Sequence, residues 1–79
     1  MNVRVLYFAS MRDQAGMEAE SIDSSAPDAS SLYSEVRTRH GFKLDESRLR
    51  VAINGAFADW KQTLREDDEI VFLPPVSGG

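Results

Sequence analysis

The stretch DEIVFLPPVSGG, residues 68–79, joins a strand pattern to an end that is rich in proline and glycine. Residues 69–73 alternate between two faces and are rich in apolar and β-branched side chains, a pattern that predicts a strand. Pro74 and Pro75 lack the N–H group that a sheet ladder needs, so the strand cannot pair beyond them. The sequence therefore predicts a last strand followed by a short segment that leaves the sheet.

Strand patterns also occur earlier in the chain. Residues 3–9 and 49–54 alternate between two faces, and residues 17–22 carry a weaker strand pattern. The short connection between the first two strands favours antiparallel pairing. Asn54-Gly55 tolerates the positive φ values of a tight hairpin turn, so a short strand over residues 56–60 can follow.

One main helix is predicted between the second and third strands, over about residues 29–40. Asp28 or Ser30 can accept a free backbone N–H group at its start, and Gly41 follows its end. Residues 10–16, by contrast, are predicted to be a polar connection with one possible helical turn. Because the main helix has one apolar stripe, it covers one face of the sheet, which predicts an α+β fold of two layers.

The face of the sheet that turns away from the helix is marked by charged side chains: Arg4, Arg50 and Glu69. The apolar residues that share this face by alternation are Leu6, Phe8, Ala52, Val71 and Leu73. An exposed apolar patch usually marks a partner surface, and we expect Phe8 and Leu73 to anchor a protein partner. The alternative is that a loop or the segment around Trp60 covers this face.

Composition excludes several classes of function. A chain of 79 residues holds one core, and its net charge of −4 argues against general affinity for nucleic acid or anionic membranes. It contains no cysteine, which excludes disulfides, thiolate metal sites and a cysteine nucleophile, and suits a cytoplasmic protein. We expect no metal site, because the acidic run over residues 66–69 does not have the spacing of a calcium loop. His40, the only histidine, is expected to be structural.

The end of the chain carries the strongest functional signal. We expect residues 1–73 to form the domain and residues 74–79 to form an extended tail, because proline favours the polyproline conformation. Gly78 and Gly79 have no side chains, so this end can enter a narrow active site. The reacting group would be the Gly79 carboxylate, which becomes an electrophile once ATP-dependent adenylation gives it a leaving group. That chemistry requires no catalytic side chain on this chain.

Nearly the whole chain resembles the small subunit of molybdopterin synthase, a ubiquitin-like sulfur carrier. The resemblance is carried by residues 3–9 with Arg12 and Gly16, by residues 51–54 and, above all, by residues 68–79. It implies a β-grasp fold: a mixed sheet of four to five strands with the first and last strands parallel and adjacent, and one main helix on one face. The family usually has glycine in the turn before the last strand, where this chain has Asp67.

The resemblance also implies a place in molybdenum cofactor biosynthesis. An adenylyltransferase of the ubiquitin-activating type would use ATP to adenylate Gly79, while this chain itself binds no cofactor. A sulfur donor would then give a thiocarboxylate. The tail residues Pro74, Pro75, Val76 and Ser77 would enter the large subunit of the synthase with Gly78. There the sulfur would pass to cyclic pyranopterin monophosphate.

Three other functions remain open on the sequence alone. One is the related sulfur carrier for thiamin thiazole synthesis, although residues 72–77 favour the molybdopterin branch. Another is a protein modifier that is joined to lysines through Gly79. The third is a binding module that never reacts at its end.

Overall fold

A computed structural model describes residues 1–75 of the chain. The predicted extended conformation of residues 76–79 lies outside the described residues. The elements, in chain order, are β1 Asn2–Tyr7, α1 Ala9–Ala15, β2 Ala19–Asp23, α2 Ala29–His40, a 3-10 turn Glu46–Arg48, β3 Arg50–Ile53, β4 Ala56–Ala58 and β5 Glu69–Leu73.

The strands form one mixed sheet in the order β2-β1-β5-β3-β4. β1 pairs antiparallel with β2 and parallel with β5, while β3 pairs antiparallel with both β5 and β4. The parallel contact between the first and last strands, which the resemblance to ubiquitin-like carriers implies, is therefore confirmed. β5 lies at the centre of the sheet, with a neighbouring strand on each side.

Alternation in β1 and β5 separates the two faces of the sheet as the sequence predicts. The inward side chains of these strands are at most 1% exposed: Val3, Val5, Tyr7, Ile70 and Phe72. They pack into one core cluster with Leu32, Tyr33 and Val36 of α2. This side of the sheet is the inner face, and the opposite side is called the outer face below.

The boundaries of α2 follow from its end residues, as predicted. The Asp28 carboxylate accepts a hydrogen bond of 2.8 Å from the Ser31 N–H group and so caps the first turn. At the other end, Gly41 has φ +72°, a left-handed conformation that suits glycine, and its N–H group donates to Arg37 O.

The helix α1 is longer than the sequence indicates. The sequence predicts a polar connection with one possible turn over residues 10–16, whereas Ala9–Ala15 form a complete helix that ends at Gly16. Met11 is its only buried residue, at 1% exposed. Since a single buried position gives no helical periodicity, the pattern of apolar residues could not reveal α1.

Trp60, whose place the sequence left open, belongs to the edge of the core. Its ring stacks on that of Phe72 with 5.9 Å between centroids and 6° between planes, and it also lies 5.9 Å from the Tyr33 ring. The Trp60 carbonyl accepts a hydrogen bond from Ser30 N. The segment that contains Trp60 therefore packs on the inner side and leaves the outer face open.

The two turns that lead into β4 and β5 are tied together. Asn54 and Gly55 have φ values of +53° and +85°, the conformation predicted for this hairpin. Asn54 Nδ2 donates to Asp68 Oδ1 over 2.8 Å, and Asn54 Oδ1 accepts from Glu69 N over 2.9 Å. Asp67, at the position where the family usually has glycine, is left-handed with φ +67°.

Neither helix of the described part of the chain has the length and apolar character needed to span a membrane.

Candidate functional site: the outer face and the root of the tail

An apolar row crosses the outer face from strand to strand. Leu6 of β1 lies opposite Val71 of β5, Val71 lies opposite Ala52 of β3, and Ala52 lies opposite Phe57 of β4. These four residues are called the apolar row below. The pairing brings three of the predicted interface residues together on adjacent strands, and it adds Phe57 to them.

Exposure varies along this face. Phe8 is 46% exposed, while Leu6, Val71 and Leu73 are half-buried. The expectation that Ala52 points freely to solvent is wrong, since Ala52 is only 9% exposed. Its methyl group is short and lies between two larger side chains of the apolar row, which shield it.

Phe57 is the residue of this surface that the sequence analysis missed. It is 63% exposed, the highest value among the large hydrophobic side chains of residues 1–75. The alternation within the short hairpin strand could have placed it, because Phe57 follows the Asn54-Gly55 turn at the position that pairs with Ala52.

The tail leaves the sheet beside this row. Leu73, the last residue of β5, lies opposite Arg50 of β3 in the register. A groove on this side is lined by Phe57, Leu73, Pro74 and Pro75, together with residues 47–50. The structure thus places the predicted tail residues Pro74 and Pro75 next to the apolar row. The predicted site residues Val76, Ser77, Gly78 and Gly79 lie outside the described residues.

Charged groups frame the apolar row. On one side of the row Arg4 lies opposite Glu69 in the register of β1 and β5. On the other side the Arg50 guanidinium carbon is 4.1 Å from the centroid of the Phe57 ring, a cation–π contact. The outer face is therefore an apolar strip with arginine at the end where the tail begins.

His40 belongs to a cluster beneath the C-terminal end of α2, away from the outer face. Tyr7 donates a 2.5 Å hydrogen bond to Glu20 Oε2, and His40 Nε2 contacts the same oxygen. Arg39 donates to Glu20 Oε1 over 3.2 Å. Burial, followed by the hydrogen bond to Glu20, raises the pKa of Tyr7 and keeps its phenol neutral. These contacts bind α2 to β1 and β2, a structural role.

The acidic run before β5 is also used within the fold. Glu66 Oε1 accepts a hydrogen bond from Asn2 N, and Asp68 Oδ2 accepts one from Arg65 N over 2.8 Å. Among residues 1–75 no three acidic or histidine side chains are grouped closely enough to hold a metal ion. The described residues form a partly exposed apolar face and the start of the segment that leaves the sheet at Pro74.

The sequence matches a known family over most of its length. The ThiS family matches residues 5–79. The molybdopterin synthase sulfur carrier subunit of Homo sapiens is 34% identical over 84 residues, covering 98% of this chain and 93% of the relative. The subunit of the same name from Escherichia coli (strain K12) is 29% identical over 80 residues, covering 98% and 99%.

Several solved structures have the same fold. A Pyrococcus furiosus molybdopterin converting factor subunit 1 superposes with a TM-score of 0.80 at 29% identity, covering 96% of this chain and 99% of that one. In a Helicobacter pylori complex of subunits 1 and 2 of molybdopterin-converting factor, the matching chain gives 0.70 at 29% identity and full coverage of both. The small archaeal modifier protein 1 of Methanosarcina acetivorans gives 0.80 at 26% identity, covering 99% and 96%.

Proposed function

Because this chain belongs to the ThiS family, whose fold is the ubiquitin-like β-grasp, we propose that it is the sulfur carrier subunit of a molybdopterin synthase. The choice of this branch over a carrier for thiamin thiazole synthesis is supported by curated relatives from bacteria and animals that all bear the molybdopterin name. These relatives align with nearly the full length of the chain.

The working atom in this proposal is the carboxyl carbon of Gly79. Its carboxylate oxygen attacks the α-phosphorus of ATP on an adenylyltransferase of the ubiquitin-activating type, and pyrophosphate leaves. Hydrosulfide then attacks the acyl carbon and AMP leaves, which gives the thiocarboxylate; a persulfide donor would first give an acyl disulfide, which a thiol cleaves to the same thiocarboxylate. This chain supplies only the acyl group, and the partner enzymes supply ATP binding and acid–base catalysis.

In the second half of the cycle the thiocarboxylate sulfur forms a bond to a side-chain carbon of cyclic pyranopterin monophosphate in the large subunit. The bond between that carbon and oxygen breaks, and the oxygen leaves as water or stays on the opened phosphate ester. Water then cleaves the bond between the acyl carbon and sulfur, so the sulfur stays on the pterin and the Gly79 carboxylate is restored. A dithiolene holds two sulfurs, so each product requires two charged carriers or two visits by one carrier.

One observation carries the proposal: the tail begins at the edge of an apolar face. Leu73 ends the central strand next to Arg50 and Phe57, and Pro74 and Pro75 lead away from it. A partner that covers the apolar row is therefore positioned to receive the tail in its own active site. The Helicobacter pylori relative, which forms a complex with subunit 2, supports a large subunit as this partner.

The experiment that tests the proposal is mass spectrometry of the protein purified from its own cells. A carrier shows a fraction in which one terminal oxygen is replaced by sulfur. That fraction, mixed with the large subunit and the pterin precursor, yields molybdopterin and returns to the carboxylate form.

Two tail variants make the test specific. Deletion of Gly79, or Gly78→Leu, abolishes sulfur transfer without changing the melting temperature. Retention of transfer by either variant contradicts the proposal.

A second candidate function is protein modification, supported by the 26% identity to the small archaeal modifier protein 1 of Methanosarcina acetivorans. In that case the activated Gly79 carbonyl would be attacked by a lysine amine, with AMP leaving. Proteolysis of the cellular proteins would then yield peptides whose lysines carry a glycine remnant of this chain. A search for such peptides distinguishes the two functions.

A further inference from the structure

Two exposed arginines lie where the tail leaves the outer face. Arg50 lies opposite Leu73, and Arg48 lines the same groove as Pro74 and Pro75. They put two positive charges at the root of the tail of a chain whose net charge is −4. The tail end of the outer face therefore has the opposite sign to the molecule as a whole.

Arg4 also lies on the outer face, but the register places the carboxylate-bearing Glu69 opposite it on β5, whereas the residue of β5 opposite Arg50 is the apolar Leu73. Within residues 1–75, neither Arg48 nor Arg50 has a carboxylate within 4.0 Å, and neither guanidinium donates a hydrogen bond to another group. No internal ion pair in the described part of the chain accounts for the two charges.

Arg50 is nevertheless held in place. Its guanidinium carbon is 4.1 Å from the Phe57 ring centroid, so the exposed ring restrains the side chain by a cation–π contact. The cation–π contact leaves the five N–H donors of the Arg50 guanidinium able to bind an oxygen acceptor. A restrained guanidinium loses less conformational freedom when it binds a carboxylate, and it can bind both oxygens at once.

We infer that the Arg50–Phe57 pair is an anchor for a carboxylate of the large subunit, located at the entrance of the cleft that takes the tail. This inference rests on the proposed function and identifies the chemistry of the partner surface: apolar opposite the apolar row, and acidic opposite Arg50 and Arg48. The pair steers the carrier so that its tail meets the entrance.

The test compares binding of the wild type and Arg50→Glu to the large subunit of molybdopterin synthase from the same organism. Association and dissociation rates are measured at low and at physiological ionic strength. The association rate constant of Arg50→Glu is expected to fall about tenfold at low salt, because like charges then meet at the contact. The difference shrinks as salt is added, because ions screen the interaction.

The matched control is Arg65→Glu, which makes the same change in net charge. Arg65 is exposed beside Ile53 and Asn54, at the end of β3 away from Arg50. Its association rate constant is expected to change by less than about twofold. Equal effects of the two variants, or no effect of Arg50→Glu, overturn the inference.

Two more variants separate the effect of the Arg50 charge from that of the apolar docking face. Arg50→Leu keeps an aliphatic side chain next to the Phe57 ring but removes the positive charge. Its association rate constant is expected to lose most of its dependence on salt. This variant can be measured even if Arg50→Glu does not fold. Leu73→Asp tests the docking face itself. If Leu73→Asp binds weakly while Arg50→Glu binds normally, only the carboxylate anchor is wrong; if Leu73→Asp also binds normally, the docking face of the proposed function is wrong.

Discussion

The Tyr7 hydroxyl group donates a 2.5 Å hydrogen bond to the Glu20 carboxylate, which also contacts His40 and so joins β1 and β2 to the end of α2. Burial by itself would raise the pKa of Glu20. The hydrogen bonds from Tyr7, His40 and Arg39 outweigh burial and lower the pKa of Glu20 below its ordinary value of 4.5. Glu20 is therefore harder to protonate in the folded protein than in the unfolded chain.

We predict an acid-dependent loss of stability that comes from Glu20. Because its pKa is lowered by folding, the contribution is complete above about pH 4.5 and is lost as the pH falls through the folded-state pKa. Glu20→Gln should flatten the dependence of the unfolding free energy on pH in this acidic range. Urea denaturation at a series of pH values measures it, with Glu18→Gln, an exposed neighbour, as the control. Identical slopes for Glu20→Gln and the wild type would refute the assignment.

A second prediction concerns the apolar face. Leu73→Asp and Phe8→Asp should each reduce the free energy of binding to the large subunit by at least about 2 kcal/mol, because a charge would be buried where an apolar anchor sits. Phe8 is exposed and Leu73 is half-buried, so the fold should persist. Calorimetric titration measures the loss.

The matched control for the apolar face is Ser34→Asp, an exposed position on α2, which lies across the sheet from the outer face. This variant should bind like the wild type. Undiminished binding of both face variants would mean that the partner docks elsewhere.

The strands and α2 could be predicted because short-range rules decide them. Alternation assigns the faces of β1 and β5, and the capping preference of Asp28 fixes the start of α2. α1 could not be predicted in the same way, since Met11 alone is buried there. The helix α1 connects the end of β1 at Tyr7 to the start of β2 at Ala19, and these two strand ends are defined only once the sheet is assembled.

A third prediction tests the hydrogen bonds by which the Asn54 side chain joins the two turns. Asn54→Gly should lower the free energy of unfolding by about 1–2 kcal/mol, because Asp68 and the Glu69 N–H group each lose a hydrogen-bond partner. Asn54→Ala should lower it by about 1 kcal/mol more, because alanine is strained at φ +53° whereas glycine is not. Urea denaturation separates the two effects, and equal stability of Asn54→Gly and the wild type would show that these hydrogen bonds contribute nothing.

A fourth prediction concerns Asp67, where the family usually has glycine. Asp67→Gly should raise the free energy of unfolding by up to about 1 kcal/mol, because removing the side chain relieves a left-handed residue at φ +67°. The gain is limited because glycine is more flexible in the unfolded chain. Thermal denaturation measures it. Asp67→Ala is the control: it removes the charge but keeps Cβ, and an equal gain in this variant would attribute the effect to charge.

The candidate site was only partly accessible from sequence. Alternation places Leu6, Phe8, Val71 and Leu73 on one face, yet it does not describe how far neighbours on adjacent strands shield a small residue such as Ala52. The two-residue turn fixes Phe57 opposite Ala52, but the contact between Phe57 and Arg50 is diagonal, and alternation does not show that these two side chains touch. The alternation of residues in the sequence therefore does not determine which side chains touch across adjacent strands.

The central position of β5 has a mechanical consequence. Any tension applied through Pro74 is carried by hydrogen bonds to β1 on one side and to β3 on the other. These bonds lie across the direction of pull and must rupture together, in shear, so the strand cannot be peeled away bond by bond. In the proposed cycle, in which partner enzymes bind the tail and then release it, this arrangement protects the domain from unfolding when the tail is pulled.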